Sequence, residues 1–203
     1  MKQGYIKFNP VSKVDKFKEP NNSRDFDYFK DDEIKKIVKA SSPLFRPLVM
    51  TAFYSGMRKG EIIGLRWDNV DFDRNVIKVV WSYDTVTKGK EVRIVGMHTK
   101  LRKELLIYKE IAVKSIYVFP NHKGKMRNNY NKVWKNTLKR AEVDYRNFHV
   151  TRHTFATIFL REGSSLAYLQ QILGHSNIKT TMRYSHLGSE YIHLRNAINK
   201  IAI

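Results

Sequence analysis

Several stretches of this chain carry side chains suited to work on a phosphodiester. Ser55-Gly56-Met57-Arg58-Lys59-Gly60-Glu61 comes first, and His149-Val150-Thr151-Arg152-His153 follows far downstream. Then come Leu173-Gly174-His175-Ser176 and Arg183-Tyr184-Ser185-His186. Together they supply a hydroxyl nucleophile, two guanidiniums for non-bridging oxygens and imidazoles for proton handling. Those are the parts that metal-free phosphodiester chemistry requires. A nucleic-acid strand-transfer enzyme is the first expectation.

Each residue also has an ordinary reading. Tyr184 is one of eleven tyrosines, most of which serve cores or surfaces. As a nucleophile its phenol would hold a DNA end as a phosphotyrosine, conserving the bond for religation. Arg58 and Arg152 would meet the charge building on the phosphate oxygens with planar, forked donors. Either could be a surface arginine, but Arg58 follows Gly56 at a bend where a side chain can project from the fold. His149 and His175 would take the tyrosine proton or donate to an oxygen. The alternative for His175 is a helix-ending turn after Leu173-Gly174. For His149 and His153 it is a metal pair on one helix face, although no His-Glu-x-x-His or obvious third ligand accompanies them. Lys88, with Lys90 close by, sits in a turn where an ammonium could protonate a departing 5′-oxygen. Glu61 would orient Arg58 or His149, or simply be an acid in the first turn of a helix.

The elements that must position these groups are mostly helical. Acids at Asp31, Asp32 and Glu33 open a helix through Val38, and a more apolar helix over Pro43–Tyr54 stops at Ser55-Gly56. A short helical turn covers Gly60–Leu65. Residues 67–97 switch to strand chemistry: Val76–Trp81 and Glu91–Val95 flank Thr87-Lys88-Gly89-Lys90 and predict a small antiparallel sheet. Helices are predicted over Thr99–Val113, Asn129–Ala141, Thr151–Arg161, Ser165–Leu173 and Ile178–Arg183. The fold class is mainly α with a small antiparallel sheet, α+β.

Bulk properties agree with this. The 203 residues hold 38 Lys and Arg against 19 Asp and Glu, a formal net charge of +19 that calls for a polyanionic partner. With no cysteine, disulfides, thiolate zinc sites and cysteine nucleophiles are excluded. No apolar run approaches the ~20 residues that cross a bilayer, and the first residues lack the apolar core of a signal peptide. A cytoplasmic protein close to bacterial DNA is expected. Residues 1–25, with Asn9-Pro10 and Glu19-Pro20-Asn21-Asn22-Ser23, read as a linker.

The joint pattern resembles the catalytic domain of the tyrosine recombinases, the phage and transposon integrase family. Ser55–Trp67 resembles its first arginine box, with the acid at Glu61. Thr87–Val95 resembles its β-hairpin lysine segment, and His149–Thr157 its His-x-x-Arg box. Leu173–Tyr184 resembles its final box, with the tyrosine nine residues after the histidine. The likeness covers roughly residues 28–190 and departs at Gly96, where many members carry proline. It implies Arg58, Lys88, His149, Arg152 and His175 as catalytic residues, Tyr184 as nucleophile and Glu61 as support. Lys88 is preferred over Lys90 by its five-residue distance to Arg93.

The resemblance also implies the reaction: Tyr184 attacks a DNA phosphodiester, leaving a 3′-phosphotyrosine and a free 5′-hydroxyl. Strands then exchange through a Holliday junction, integrating or excising a mobile element. It calls for no cofactor and no metal. It implies double-stranded DNA carrying attachment or core sites as partner, a monomer in solution and a homotetramer on DNA, accessory DNA-bending or directionality proteins, and no membrane. On this basis residues 1–25 are a linker left from a missing N-terminal DNA-binding domain, and 26–187 form the catalytic domain. Residues 188–203 form a tail helix with an apolar stripe at Tyr191, Leu194, Ile198 and Ile201, docked on a neighbouring protomer or on its own core. A fragment of this kind is expected to bind DNA weakly and with strong salt dependence. Two rivals remain at this stage: a helix-turn-helix binder built on Leu166–Leu173 and Ile178–Tyr184, and a type IB topoisomerase.

Overall fold

The computed structural model describes residues 27–80 and 92–185. The linker at 1–25, the hairpin tip bearing Lys88 and Lys90, and the tail at 188–203 lie outside the described residues.

Helix α1 (Asp31–Ala40) begins with Asp31, Asp32 and Glu33, which complement the positive end of its dipole. Glu33 Oε2 accepts the Lys30 N–H at 2.7 Å. The same acids reach across the fold: Asp31 meets Arg161 at 3.0 Å and Glu33 meets Arg146 at 2.7 Å. Helix α2 (Arg46–Ser55) starts with Pro47 in its first turn, where the missing N–H costs nothing. It is buried from Pro47 through Phe53. Its hydroxyls are satisfied internally, Thr51 Oγ1 donating to Pro47 O and Ser55 Oγ to Thr51 O. The expected start at Pro43 is three residues early, because Ser42 O instead takes the N–H groups of both Phe45 and Arg46 in a turn.

Helix α3 (Lys59–Ile63) is followed by an antiparallel sheet in the order β1 (Val70–Asp71), β2 (Val76–Val79), β3 (Arg93–Gly96). Register pairs Ile77 with Val95 and Val79 with Arg93. Ile77, Val79 and Val95 point into the core while Ile94 is exposed, as a two-residue period requires. Helix α4 (Thr99–Ile111) packs on α2, and α5 (Asn131–Arg140) packs on α1. Helix α6 (Val150–Arg161) lies against α2 and leads into α7 (Leu166–Leu173) and α8 (Ile178–Met182).

Two apolar clusters result. The larger runs from Phe29 to Phe148 and contains Trp134, whose ring meets Phe29 and Phe148 edge-on at 5.9 and 5.1 Å. The smaller comprises Ala156, Leu160, Leu169, Leu173 and Tyr184. The expected mainly helical, α+β fold is the one observed. Among the described residues no helix is long and apolar enough to cross a membrane.

Candidate active site

The first arginine is placed by a glycine. At the end of α2, Gly56 adopts φ 61°, and a Cβ there would come within 2.4 Å of the Phe155 ring on α6. Only glycine therefore lets the chain turn while α2 and α6 stay in contact. Met57 is then pinned in the core and Arg58, the N-cap of α3, extends outward with 44% of its side chain exposed.

Glu61 organises the guanidiniums. Its carboxylate is 2% exposed; Oε2 accepts the Arg58 N–H at 2.7 Å, and Oε1 accepts Arg58 Nη1 at 3.1 Å. Arg93, on β3, donates Nη1 to Oε1 at 2.8 Å and Nη2 to Oε2 at 2.6 Å. Burial pushes the Glu61 carboxyl up, but hydrogen bonds and charge from Arg93 and Arg58 outweigh it and hold the group below its ordinary value. Among the described residues the carboxylate is thus committed to two arginines, and not to His149. Arg93 also donates Nε to Ile172 O at 2.6 Å, tying β3 to the end of α7.

Arg152, on α6, is 2% exposed. Its Nη1 donates to Gly56 O at 2.8 Å, and Nη2 to Leu173 O at 2.7 Å. Nη2 also lies 3.0 Å from His175 Nε2. A guanidinium has only donors, so His175 Nε2 accepts, and its proton sits on Nδ1 facing Thr181 Oγ1 at 2.8 Å. Burial and the charge of Arg58 push Arg152 down to about 9, still protonated at neutral pH. Burial, then Arg152 and Arg58, push His175 down to about 4, so the ring is neutral. Gly174, the helix-ending residue expected before His175, caps α7 at φ 65°.

The second group of side chains runs along α6 toward Tyr184. His149 is the N-cap of α6, and its ring meets that of His153 edge-on at 5.0 Å. Desolvation, then the charges of Arg152 and Arg58, lower the His149 pKa. His153 Nδ1 lies 2.6 Å from Tyr184 Oη. Burial, then His149, Arg152 and Arg183, push His153 down to about 4. Tyr184 is 4% exposed, and burial raises its phenol despite Arg152 and Arg183.

Of the expected site residues, Arg58, Glu61, Arg152 and His175 share one network, and His149 and Tyr184 both contact His153. Lys88 lies outside the described residues. No group of three or more ligating side chains accompanies the His149–His153 pair among the described residues. Sequence reasoning missed Arg93, Thr181 and the contact of His153 with Tyr184. Arg93 had a signal: strand alternation puts it on the inward face with Val95, where a charge needs a buried partner.

A profile of the phage integrase family matches residues 27–190. The XerC-like tyrosine recombinase of Caldanaerobacter subterraneus subsp. tengcongensis is 30% identical, with 91% of this chain and 58% of that protein covered. The integrase of Salmonella phage P22 is 27% identical, with 90% and 48% covered. This chain therefore spans about half the length of these relatives. Among solved structures, the XerA recombinase is 26% identical with a TM-score of 0.71, covering 91% of this chain and 68% of its own. The catalytic domain of bacteriophage HP1 integrase is 27% identical with a TM-score of 0.64, covering 85% of this chain and 94% of its own.

Proposed function

This chain belongs to the phage integrase family, and from that premise we propose that it is the catalytic part, residues 26–187, of a site-specific DNA recombinase. Tyr184 attacks a phosphodiester of double-stranded DNA, giving a 3′-phosphotyrosine and a free 5′-hydroxyl. The 5′-hydroxyl of a partner strand reverses the step, and two rounds pass through a Holliday junction. The names of the phage P22 and HP1 relatives favour integration or excision of a mobile element as the setting.

Arg58 and Arg152 stabilise the charge on the non-bridging oxygens, and Glu61 orients Arg58. His149 and His175 flank the phosphate, and Lys88 is the donor to the departing 5′-oxygen. No metal or cofactor enters this scheme. Four protomers assemble on DNA from monomers, with residues 188–203 docking between them. Accessory DNA-bending or directionality proteins set the outcome.

The observation that carries this reading is the convergence on Arg152. One buried guanidinium bonds the first arginine box at Gly56 O and the final box at Leu173 O and His175 Nε2. A helix-turn-helix binder gives that bridge no task, and the five-residue α8 is too short for its reading helix.

The test uses nicked duplexes with randomised centres, first selected for binding and then scored for a covalent protein–DNA band. A band with the natural sequence that vanishes in Tyr184→Phe is the expected result. A band persisting in Tyr184→Phe, or tight binding with no band, overturns the reading.

A further inference from the structure

The histidine that touches the Tyr184 hydroxyl is His153, which stands beside Arg152 rather than at the head of the His-x-x-Arg box. We propose that His153 is a catalytic residue for DNA cleavage: its Nδ1 holds the Tyr184 hydroxyl and accepts its proton as the oxygen attacks phosphorus. This role rests on Tyr184 being the nucleophile.

The geometry divides labour between neighbours on one helix. Arg152 and His153 project about 100° apart on α6. The first reaches Gly56, Leu173 and His175, while the second lies 2.6 Å from the phenol oxygen. The helix is tied from outside where Thr154 Oγ1 accepts the Phe29 N–H at 3.0 Å, and within itself where Thr157 Oγ1 donates to His153 O at 2.9 Å. His175 cannot take the phenolic proton in this arrangement. Its Nε2 lone pair faces Arg152, and its Nδ1 proton faces Thr181. His149 packs its ring edge-on against His153 at 5.0 Å, whereas the ring nitrogen at hydrogen-bond distance from the phenol belongs to His153.

The charged groups around His153 give the role a built-in condition. Among the described residues, His149 and Arg152 at the start of α6, with Arg183 and Tyr184 beyond α8, are charged or titratable groups that act on it. Without DNA, burial and these cations keep the ring neutral and weakly basic, and the proton stays on the buried phenol. A bound phosphodiester brings negative charge to Arg152 and raises the basicity of the imidazole. The nucleophile is then activated only when its target is present.

Atoms and charges balance. The Tyr184 O–H bond breaks and its proton goes to Nδ1, forming an imidazolium. The oxygen's electron pair forms the O–P bond, and the P–O5′ pair leaves with the 5′-oxygen. That oxygen takes its proton from a general acid, the role proposed above for Lys88. In religation the Nδ1 proton returns to the departing phenol.

The experiment compares His153→Asn and His153→Ala with the natural sequence in single-turnover adduct formation across pH. Asparagine can hydrogen-bond the phenol but cannot take its proton. Loss of about 10²- to 10⁴-fold in adduct rate is expected, with DNA affinity unchanged. The residual rate in both variants should climb steadily with pH as hydroxide replaces the missing base. An adduct rate within about threefold of the natural one, with the same pH profile, would overturn the role of His153 and leave Tyr184 untouched. No adduct from the natural sequence would remove the nucleophile and this role together. Nitrogen NMR of the DNA-free protein gives an independent check. His153 Nδ1 is expected as the unprotonated nitrogen, shifting in Tyr184→Phe; a protonated Nδ1 would overturn the proposal whatever the adduct assay gives.

Discussion

The two apolar clusters of this domain differ in thickness, and the site draws different parts from each. The larger is built by α1–α5 and the sheet, with interlocked aromatic rings at Phe29, Trp134, Tyr130 and Phe148. From its edge come Arg58, Glu61 and Arg93, fixed to one another through the Glu61 carboxylate. The smaller is built by α6, α7 and the residue Tyr184 beyond α8 from a handful of side chains, the Tyr184 ring among them. A cluster of few side chains opens at lower cost than a large one, so Tyr184 sits on the side of the domain expected to open first. Helix α6 belongs to both, so Arg152 and His153 are placed by the thick cluster and used by the thin one.

The largest expected effect that tests this contrast is Trp134→Ala. Losing a fully buried indole from the thick cluster should cost about 3–5 kcal/mol, a large share of the ~5–15 kcal/mol typical of a domain. Urea unfolding should show one cooperative transition moved to lower denaturant. Leu169→Ala, in the thin cluster, should fall toward the lower end of the ~2–5 kcal/mol range. Its loss should appear in hydrogen exchange over α7 and α8 while α2 and α5 keep their protection. Equal loss of protection everywhere would mean the clusters open as one unit.

Arg93→Gln probes the seam. It removes a charged partner from buried Glu61 and should cost about 1.5–3 kcal/mol. Because Glu61 is held below its ordinary value, its contribution is present at neutral pH and lost as pH falls through the lowered value. Arg93 is the strongest influence lowering Glu61, so without it the window between the ordinary and the folded value narrows. In Arg93→Gln the urea midpoint should start lower at neutral pH and fall less on acidification than that of the natural sequence. The smallest effect concerns the histidines. His153 and His175 are pushed down to about 4, and His149 is lowered as well. Between the ordinary histidine value near ~6.5 and about 4, the unfolded chain binds more protons, so stability falls as pH falls. A melting temperature lower at pH 5 than at pH 7 is expected, by about 2–4 °C for each kcal/mol lost in a domain of this size, with a shallower pH slope in His175→Gln.

Much of this was legible because local chemistry and tertiary demand agree. The acids opening α1, the glycine ending α2, the start of α7 and the strand runs of β2 and β3 all landed within a residue or two. The misses have physical causes. β1 is two residues long and too short to display a period. The early start given to α2 ignored the turn that Ser42 closes before Pro47. In the site, Arg58, Glu61, Arg152 and His175 could be grouped because their boxes keep fixed spacings. His153 was read through its four-residue spacing to His149, which suggests a metal; its real partner lies 31 residues away in the chain. Arg93 likewise needs Glu61, 32 residues distant, before its role can be seen.

The bond from Phe29 N–H to Thr154 Oγ1 joins residues 125 apart in the chain. On a ribosome adding ~5–20 residues per second, the second partner follows the first by about 6–25 s. Through that interval the Phe29 N–H, at the base of a ring in the thick cluster, has no α6 acceptor. The start of the domain therefore waits longest for its partners, and this is the window in which a chaperone would have most to hold.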